Sequence, residues 1–272
     1  MKHTLVLTLI AGFLFSSPVA EATPDISTIV SKSKRALEEG RRGTRKVVIT
    51  VKNGEDVTSE WIARNAHKEF EDGKGALLVV LAPENLKGIA HLVWTPKGKQ
   101  SKEWVYYPQT RRVRMLTSLT AYNSVQGTDF TWSDLGISDP GGEHRFLAQE
   151  EHAGKQSYKI ETIPKEKRYY SRIVSWISAD NFIPVQRDYY NTDGRLWKTK
   201  TFENIVVMKN ITMPLLVCMK DVIHNRSTEV HISDVCFDAP YIPREAFFPL
   251  KLPEASLSPV CAVPVPEKKQ AD

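Results

Sequence analysis

Two carboxylates, Asp129 and Asp134, come nearest in this chain to a catalytic pair by type and spacing. Two neighbouring carboxyl groups can divide general acid and general base roles between them. Each of these residues, however, stands beside a threonine or serine at a turn or at the start of a helix, where aspartate accepts hydrogen bonds from backbone N–H groups. We therefore predict that residues 127–135 form a structural plug and that both aspartates are capping or turn-stabilising residues.

The remaining polar residues point away from enzyme chemistry. Nucleophile elbows, HExxH zinc sites, CxxC pairs and glycine-rich phosphate loops are absent from the sequence. The histidines beyond residue 22 are scattered singly: His67, His91, His144, His152, His224 and His231. We expect no catalytic residues, no metal and no cofactor.

Large aromatic side chains stand in the predicted strands and in the plug segment. One interpretation is an ordinary packed core, and the other is an apolar cavity, because a strongly bent sheet can enclose space for a ligand. The candidate lipid-binding residues are Trp94, Trp104, Tyr106, Phe130 and Trp132, with Leu37 on a predicted covering helix.

Three arginines, Arg111, Arg112 and Arg114, follow the predicted strand 104–107. They are interpreted as a solvated rim or, alternatively, as contacts to lipid phosphates. A strand with an apolar face beside a basic rim suits an amphipathic anion. We therefore predict that the acyl chain lies against Trp94, Trp104 and Tyr106, with its headgroup near these arginines.

The bulk properties favour an exported protein. The chain has 272 residues and a formal net charge of +5. Residues 1–22 read as a signal peptide, with a basic start, an apolar run over 5–15 and small residues at Ala20 and Ala22. We expect a periplasmic protein and a monomer. Nucleic acid is excluded as a partner because no recognised nucleic-acid motif is present.

The three cysteines, Cys218, Cys236 and Cys261, have to be considered for an oxidising compartment. A hairpin through residues 224–227 would place Cys218 opposite about Ser233. Cys218 and Cys236 would then be diagonal neighbours roughly 7–8 Å apart, at or beyond the bridging distance. The sequence therefore predicts no structural disulfide between them.

The pattern of the whole chain predicts a mainly β protein. A helix is indicated over residues 24–39, with Ile26, Val30 and Leu37 on its apolar stripe. About a dozen strands follow at the short spacing of a sandwich or barrel. We predict one domain over residues 23–250 and a Pro-rich flexible tail over 251–272.

The order of these motifs resembles the outer-membrane lipoprotein-sorting protein family, related to the LolA and LolB carriers. The likeness extends over residues 25–250 and is most specific at Gly127-Thr128-Asp129-Phe130-Thr131-Trp132-Ser133-Asp134-Leu135. It implies a half-open antiparallel β-barrel whose open side is covered by helices, and a cavity that receives lipid or lipoprotein acyl chains.

The resemblance also implies a place for the protein in the cell. Relatives in this branch are often linked to RND-type inner-membrane exporters, so a carrier that serves such an exporter is the first hypothesis. An envelope-stress or lipid-sensing binding module without a transport role is the alternative.

Overall fold

A computed structural model describes residues 25–117, 124–131, 134, 141–165, 169–237 and 242–257. This part of the chain contains one α-helix, α1 (Ile26–Arg41), and thirteen strands. The strands are β1 (Gly43–Asn53), β2 (Asp56–Phe70), β3 (Gly73–Ala82), β4 (Ala90–Pro96), β5 (Lys102–Tyr107), β6 (Arg112–Leu116), β7 (Gly142–His152), β8 (Lys155–Pro164), β9 (Arg172–Ser178), β10 (Pro184–Tyr190), β11 (Leu196–Met208), β12 (Ile211–Asp221) and β13 (Arg226–Cys236). Two 3-10 helices, Arg244–Phe247 and Pro249–Glu254, follow the last strand.

All thirteen strands belong to one antiparallel sheet in the order β6-β5-β4-β3-β2-β1-β13-β12-β11-β10-β9-β8-β7. Two meanders, β1 to β6 and β7 to β13, are joined by the pairing of β1 with β13. Among the described residues the edge strands β6 and β7 do not pair with each other, so the sheet is not closed. The predicted half-open antiparallel β-barrel is confirmed.

The two faces of the sheet have different covers. Met213 and Met219 of β12 point to the same face because they are six positions apart, an even offset along the strand. Met213 lies against Gly40 of α1, and Met219 packs with Phe130. We call the face that carries α1 and Phe130 the inner face.

The opposite, outer face is covered over β3 to β6 by residues 242–257, which we call the C-terminal segment. Leu77 and Val79 of β3 pack with Phe247 of this segment, whereas Leu78 and Val80 belong to the core on the inner face. The nearly continuous apolar sequence of β3 is explained by burial on both faces.

Helix α1 is present as predicted but begins and ends slightly later. Asp25 caps it, because its carboxylate accepts a hydrogen bond from the Ser27 N–H at 3.1 Å. The helix continues to Arg41 and the chain turns at Gly43, where φ is +80°. A Cβ at Gly43 would lie 1.9 Å from the Cys236 carbonyl oxygen, so this close approach to β13 requires glycine.

The C-terminal segment corrects one boundary of the sequence prediction. Leu252 and Leu257 are buried, and residues 249–254 form a 3-10 helix, so the packed fold extends past residue 250. The apolar residues between the prolines are buried against the sheet. The Pro-rich composition gave no indication of this packing. Residues 258–272 and the predicted signal peptide, 1–22, lie outside the described residues and stay predictions. None of the described helices is long and apolar enough to cross a membrane.

The prediction of no disulfide between Cys218 and Cys236 is confirmed. Cys218 is a free thiol, but Cys236 takes part in a disulfide. The β12–β13 register pairs Cys218 with Glu229, because the turn begins earlier than the sequence suggested. Cys236 instead pairs with Thr44 of β1. A disulfide that does not join hairpin neighbours has no local sequence signal.

Candidate functional site

Val125 and Phe130, from the connection between β6 and β7, pack on the inner face, and Phe130 inserts a large side chain into the core. Phe130 is 2% exposed and packs with Tyr170, Ile173, Tyr189 and Met219. Val125, from the same segment, joins a second inner-face cluster around Trp61. These contacts support the predicted plug, of which residues 124–131 and 134 are described.

Asp134 caps its own turn, as predicted. Its Oδ2 accepts the Thr131 N–H at 2.9 Å, and its own N–H donates to Thr131 Oγ1 at 3.1 Å. The Tyr170 hydroxyl donates to the same carboxylate at 3.2 Å. The carboxylate is therefore held by short-range and tertiary hydrogen bonds together.

Asp129 has a different role from the predicted turn stabilisation. Its carboxylate accepts the Thr228 hydroxyl at 2.8 Å and pairs with Arg226 at 3.2 Å, and its N–H donates to Thr228 Oγ1. These contacts fasten the plug to β13 rather than completing a turn. Burial raises the pKa of Asp129, and the Thr228 hydrogen bond and Arg226 oppose that shift.

Two buried lysines of β11 hold the plug from the other side, and the sequence analysis missed them. Lys198 Nζ donates to the Asp129 carbonyl at 2.7 Å, and Lys200 Nζ to the Asp134 carbonyl at 3.1 Å. Both residues are 5% exposed. Burial lowers the pKa of Lys198 and lowers that of Lys200 to about 7. The sequence did contain a signal for them. Lys198, Lys200 and Phe202 alternate along β11, so all three side chains lie on the same face of the strand.

Helix α1 covers the inner face through a small contact area. Ile29 is fully buried against Tyr158, Ile160 and Ile177, and Gly40 lies against Met213. Only Ile29, Ser33 and Gly40 of the sixteen helix residues are buried. Leu37, the predicted covering residue, is half-buried. The helix is therefore a light cover.

The structure separates the predicted lipid-binding residues into two groups. Trp94, Trp104 and Tyr106 lie together on the outer face under the C-terminal segment, whereas Phe130 and Leu37 lie on the inner side. The cause is strand parity, because Trp94, Trp104 and Tyr106 face away from Val105 and the inner core. Trp132 lies outside the described residues.

A cavity of about 390 Å³ adjoins the outer-face group. It lies between the sheet and the C-terminal segment. Its lining is Thr44, Leu77, Ile242, Pro243, Glu245, Ala246, Lys251, Glu254, Ala255, Ser256 and Leu257. An apolar space of this size is within the range that small ligands occupy.

The three arginines of the predicted rim are exposed. Arg111 lies in the turn between β5 and β6, and Arg112 and Arg114 lie on β6, an edge strand. In the described part of the chain, no group of three His, Cys, Asp or Glu side chains is placed to hold a metal ion.

Arg244 attaches the C-terminal segment to the outer face. Its guanidinium carbon lies 3.6 Å from the centroid of the Trp94 ring and 4.7 Å from that of Phe248, and its Nη2 pairs with Asp72 at 3.0 Å. We expect Arg244→Ala to lower the free energy of unfolding by about 1–2 kcal/mol, as for a partly desolvated cation–π contact.

Urea denaturation with limited proteolysis of the C-terminal segment measures this effect. Lys251→Ala is the control, because Lys251 is exposed and pairs only with its neighbour Glu254 among the described residues. Equal stability and equal proteolysis of the two variants would contradict the attachment role of Arg244.

Solved structures establish the class of fold. A domain from Vibrio parahaemolyticus, described as outer membrane lipoprotein-sorting, is 24% identical with a TM-score of 0.73, covering 83% of this chain and 97% of its own. A DUF1329 family protein from Desulfovibrio piger is 20% identical with a TM-score of 0.74. The match covers 85% of this chain and 100% of that protein. A LolA superfamily protein from Nitrosomonas europaea is 18% identical with a TM-score of 0.65, covering 83% and 98%. The fold is thus the LolA-like half-open barrel.

The family follows from the sequence itself. A family model whose description reads "Uncharacterized protein" matches residues 72–252, and the chain belongs to that family. No curated protein matches the chain.

Proposed function

We propose that this protein is a periplasmic carrier that binds the acyl chains of lipids or lipoproteins on the inner face of its half-open barrel and catalyses no reaction. The observation that carries the proposal is the inner face itself, which carries large apolar clusters and, among the described residues, is covered by a lightly packed helix and a plug. The fold shared with lipoprotein-sorting and LolA superfamily structures supports it. The periplasmic location rests on the predicted signal peptide.

Simple energetics support a movable cover. Burying an acyl chain of 16 carbons releases on the order of 10 kcal/mol, at about 0.8 kcal/mol per methylene. The one fully buried large apolar side chain of α1, Ile29, contributes only about 1.5–3 kcal/mol. The free energy released when an acyl chain is buried therefore exceeds the free energy lost when the contacts of Ile29 are replaced. Release requires a partner that changes the cover, and we propose an inner-membrane RND-type exporter or an acceptor beside it.

The proposed ligand contacts follow the two faces. Leu37 and Phe130 are the inner-face candidates, and Trp132, outside the described residues, stays a candidate from the sequence. Trp94, Trp104 and Tyr106, with the rim of Arg111, Arg112 and Arg114, would serve a second chain on the outer face once the C-terminal segment moved. We propose that the protein acts as a monomer.

Native mass spectrometry of protein purified from the periplasm tests the carrier function. We expect co-purified lipid, and after delipidation we expect palmitate or a phospholipid to raise the melting temperature and change the tryptophan fluorescence. If acyl ligands change neither signal, the interior is a packed core and the carrier function is wrong. Binding without transfer to any acceptor membrane would favour a lipid-sensing module.

A substitution in α1 tests the cover. Leu37→Asp places a charge on the half-buried face of the helix, so the amide protons of α1 should exchange faster while those of the strands keep their protection. Hydrogen exchange with mass spectrometry measures this difference. Ser31→Asp, on the exposed face, is the matched control. Unchanged exchange in Leu37→Asp would show that α1 is not a cover held by this face.

A further inference from the structure

Two positive side chains stand directly opposite each other on the inner face. Arg187 of β10 and Lys200 of β11 are cross-strand partners in the sheet register. Both contact the ring of Phe202, with the Arg187 guanidinium carbon 5.7 Å and Lys200 Nζ 5.4 Å from its centroid. Like charges directly opposite in a sheet are destabilising, and burial increases the repulsion. Folding alone does not explain this pair.

Nearby carboxylates compensate Lys198 but leave Lys200 poorly compensated. Asp129, Asp134 and Asp221 all favour the charged form of Lys198. Among the described residues, only Asp134 does so for Lys200, while Arg187 and Arg41 oppose it. The Asp134 carboxylate is already engaged by Thr131 and Tyr170. Positive charge is therefore in excess around Lys200.

Arg41 of helix α1 completes this excess of charge. Its charge contributes to the lowered pKa of Lys200, and burial and then Arg187 lower the pKa of Arg41 itself, which Glu38 and Tyr189 oppose. The guanidinium of Arg45 donates to the Gly40, Arg41 and Arg42 carbonyls, so the negative end of the helix is already neutralised. We call Arg41, Arg187 and Lys200 the basic cluster.

A donor in this cluster lacks an acceptor. Arg187 Nε is buried and has no hydrogen-bond partner within the described structure. Buried polar groups are almost always hydrogen-bonded, so an unpaired donor beside an excess of positive charge indicates a missing acceptor. Guanidinium groups bind the planar or tetrahedral oxygens of carboxylate and phosphate groups with two parallel hydrogen bonds.

We propose that the basic cluster binds the phosphate or carboxylate headgroup of an anionic amphiphile whose acyl chain lies along the inner face. This inference rests on the proposed carrier function and places the headgroup of an anionic ligand at the basic cluster on the inner face. Phe130 and Phe202 flank Lys200 and offer an apolar path away from the headgroup. Because Arg41 belongs to α1, headgroup binding would also hold the cover closed over the chain.

Calorimetric titration below the micellar concentration tests the proposal with three probes: dodecyl phosphate, dodecyl maltoside and inorganic phosphate. Wild-type protein should bind dodecyl phosphate about tenfold tighter than the neutral maltoside. Arg187→Gln and Lys200→Met should each remove most of that preference and leave maltoside binding unchanged. Arg195→Gln, at an exposed arginine in the turn between β10 and β11, is the matched control and should keep it.

Stability and salt supply independent readouts. Lys200→Met removes a buried repulsion, so its unliganded melting temperature should rise while its affinity for dodecyl phosphate falls. If Arg187→Gln does not fold, the binding preference of Lys200→Met tests the proposal on its own. The preference for dodecyl phosphate should survive about 0.5 M salt, since buried charges are screened less than exposed ones.

The outcomes separate the two proposals. If both amphiphiles bind equally well, or if neither Arg187→Gln nor Lys200→Met loses the preference, the basic cluster is not the headgroup site although the carrier function stands. If inorganic phosphate binds as tightly as dodecyl phosphate, the cluster holds a free anion rather than a lipid headgroup. If neither amphiphile binds wild-type protein, the carrier function fails and this inference fails with it.

Discussion

Raising the pH should stabilise the wild-type protein relative to a Lys200→Met variant. In the fold, the pKa of Lys200 is lowered from 10.5 to about 7, chiefly by burial, with Arg187 and Arg41 adding to the shift. Below that pKa the ammonium is charged in the folded and unfolded states alike, so its burial penalty is fully present. Between the two pKa values only the unfolded chain keeps the proton, and the free energy of unfolding therefore increases with pH.

The expected change is large enough to measure by urea denaturation. Between about pH 6.5 and about pH 9.5, the free energy of unfolding of the wild type should gain about 3 kcal/mol over Lys200→Met, at about 1.4 kcal/mol per pH unit above the folded pKa. Lys220→Met, the same change at an exposed lysine of β12, is the control and should follow the wild type. Parallel curves for the wild type and Lys200→Met would show that Lys200 is not a buried titrating group.

Replacing Phe130 by alanine should lower the free energy of unfolding by about 3–5 kcal/mol, as for other buried aromatic residues. Phe130 is the large side chain that anchors the plug, and its removal leaves a cavity between Tyr170, Tyr189 and Met219. Phe146→Ala is the matched control, because Phe146 lies on edge strand β7 and is 38% exposed.

Urea midpoints of the two variants check this expectation. Phe146→Ala should lower the free energy of unfolding by clearly less than Phe130→Ala, since Phe146 keeps 38% of its surface exposed in the fold. A Phe130→Ala variant as stable as the control would mean that the plug contributes no packing, and that its insertion into the inner face is incidental to the fold.

The sequence by itself determined the elements and the class of fold. Strand alternation and turn residues predicted about a dozen strands, and the apolar stripe of Ile26, Val30 and Leu37 predicted helix α1. The Asp134 cap was predictable because its partner, Thr131, lies three residues away and the hydrogen bonds depend only on the local chain. The order of motifs, above all residues 127–135, was enough to indicate the lipoprotein-sorting fold.

Only the tertiary structure decided which residues meet. Asp129 binds Thr228 rather than its own turn, and Lys200 faces Arg187, because sheet register brings distant parts of the chain together. Trp104 packs in an apolar cluster on the outer face rather than on the inner one. The sequence could not decide this, because a strand that is buried on both faces does not show which face is the inner one. Local sequence preferences thus determine the strands and their turns. Strand pairing and the segments that pack on each face of the sheet determine which charged residues meet and where cavities lie.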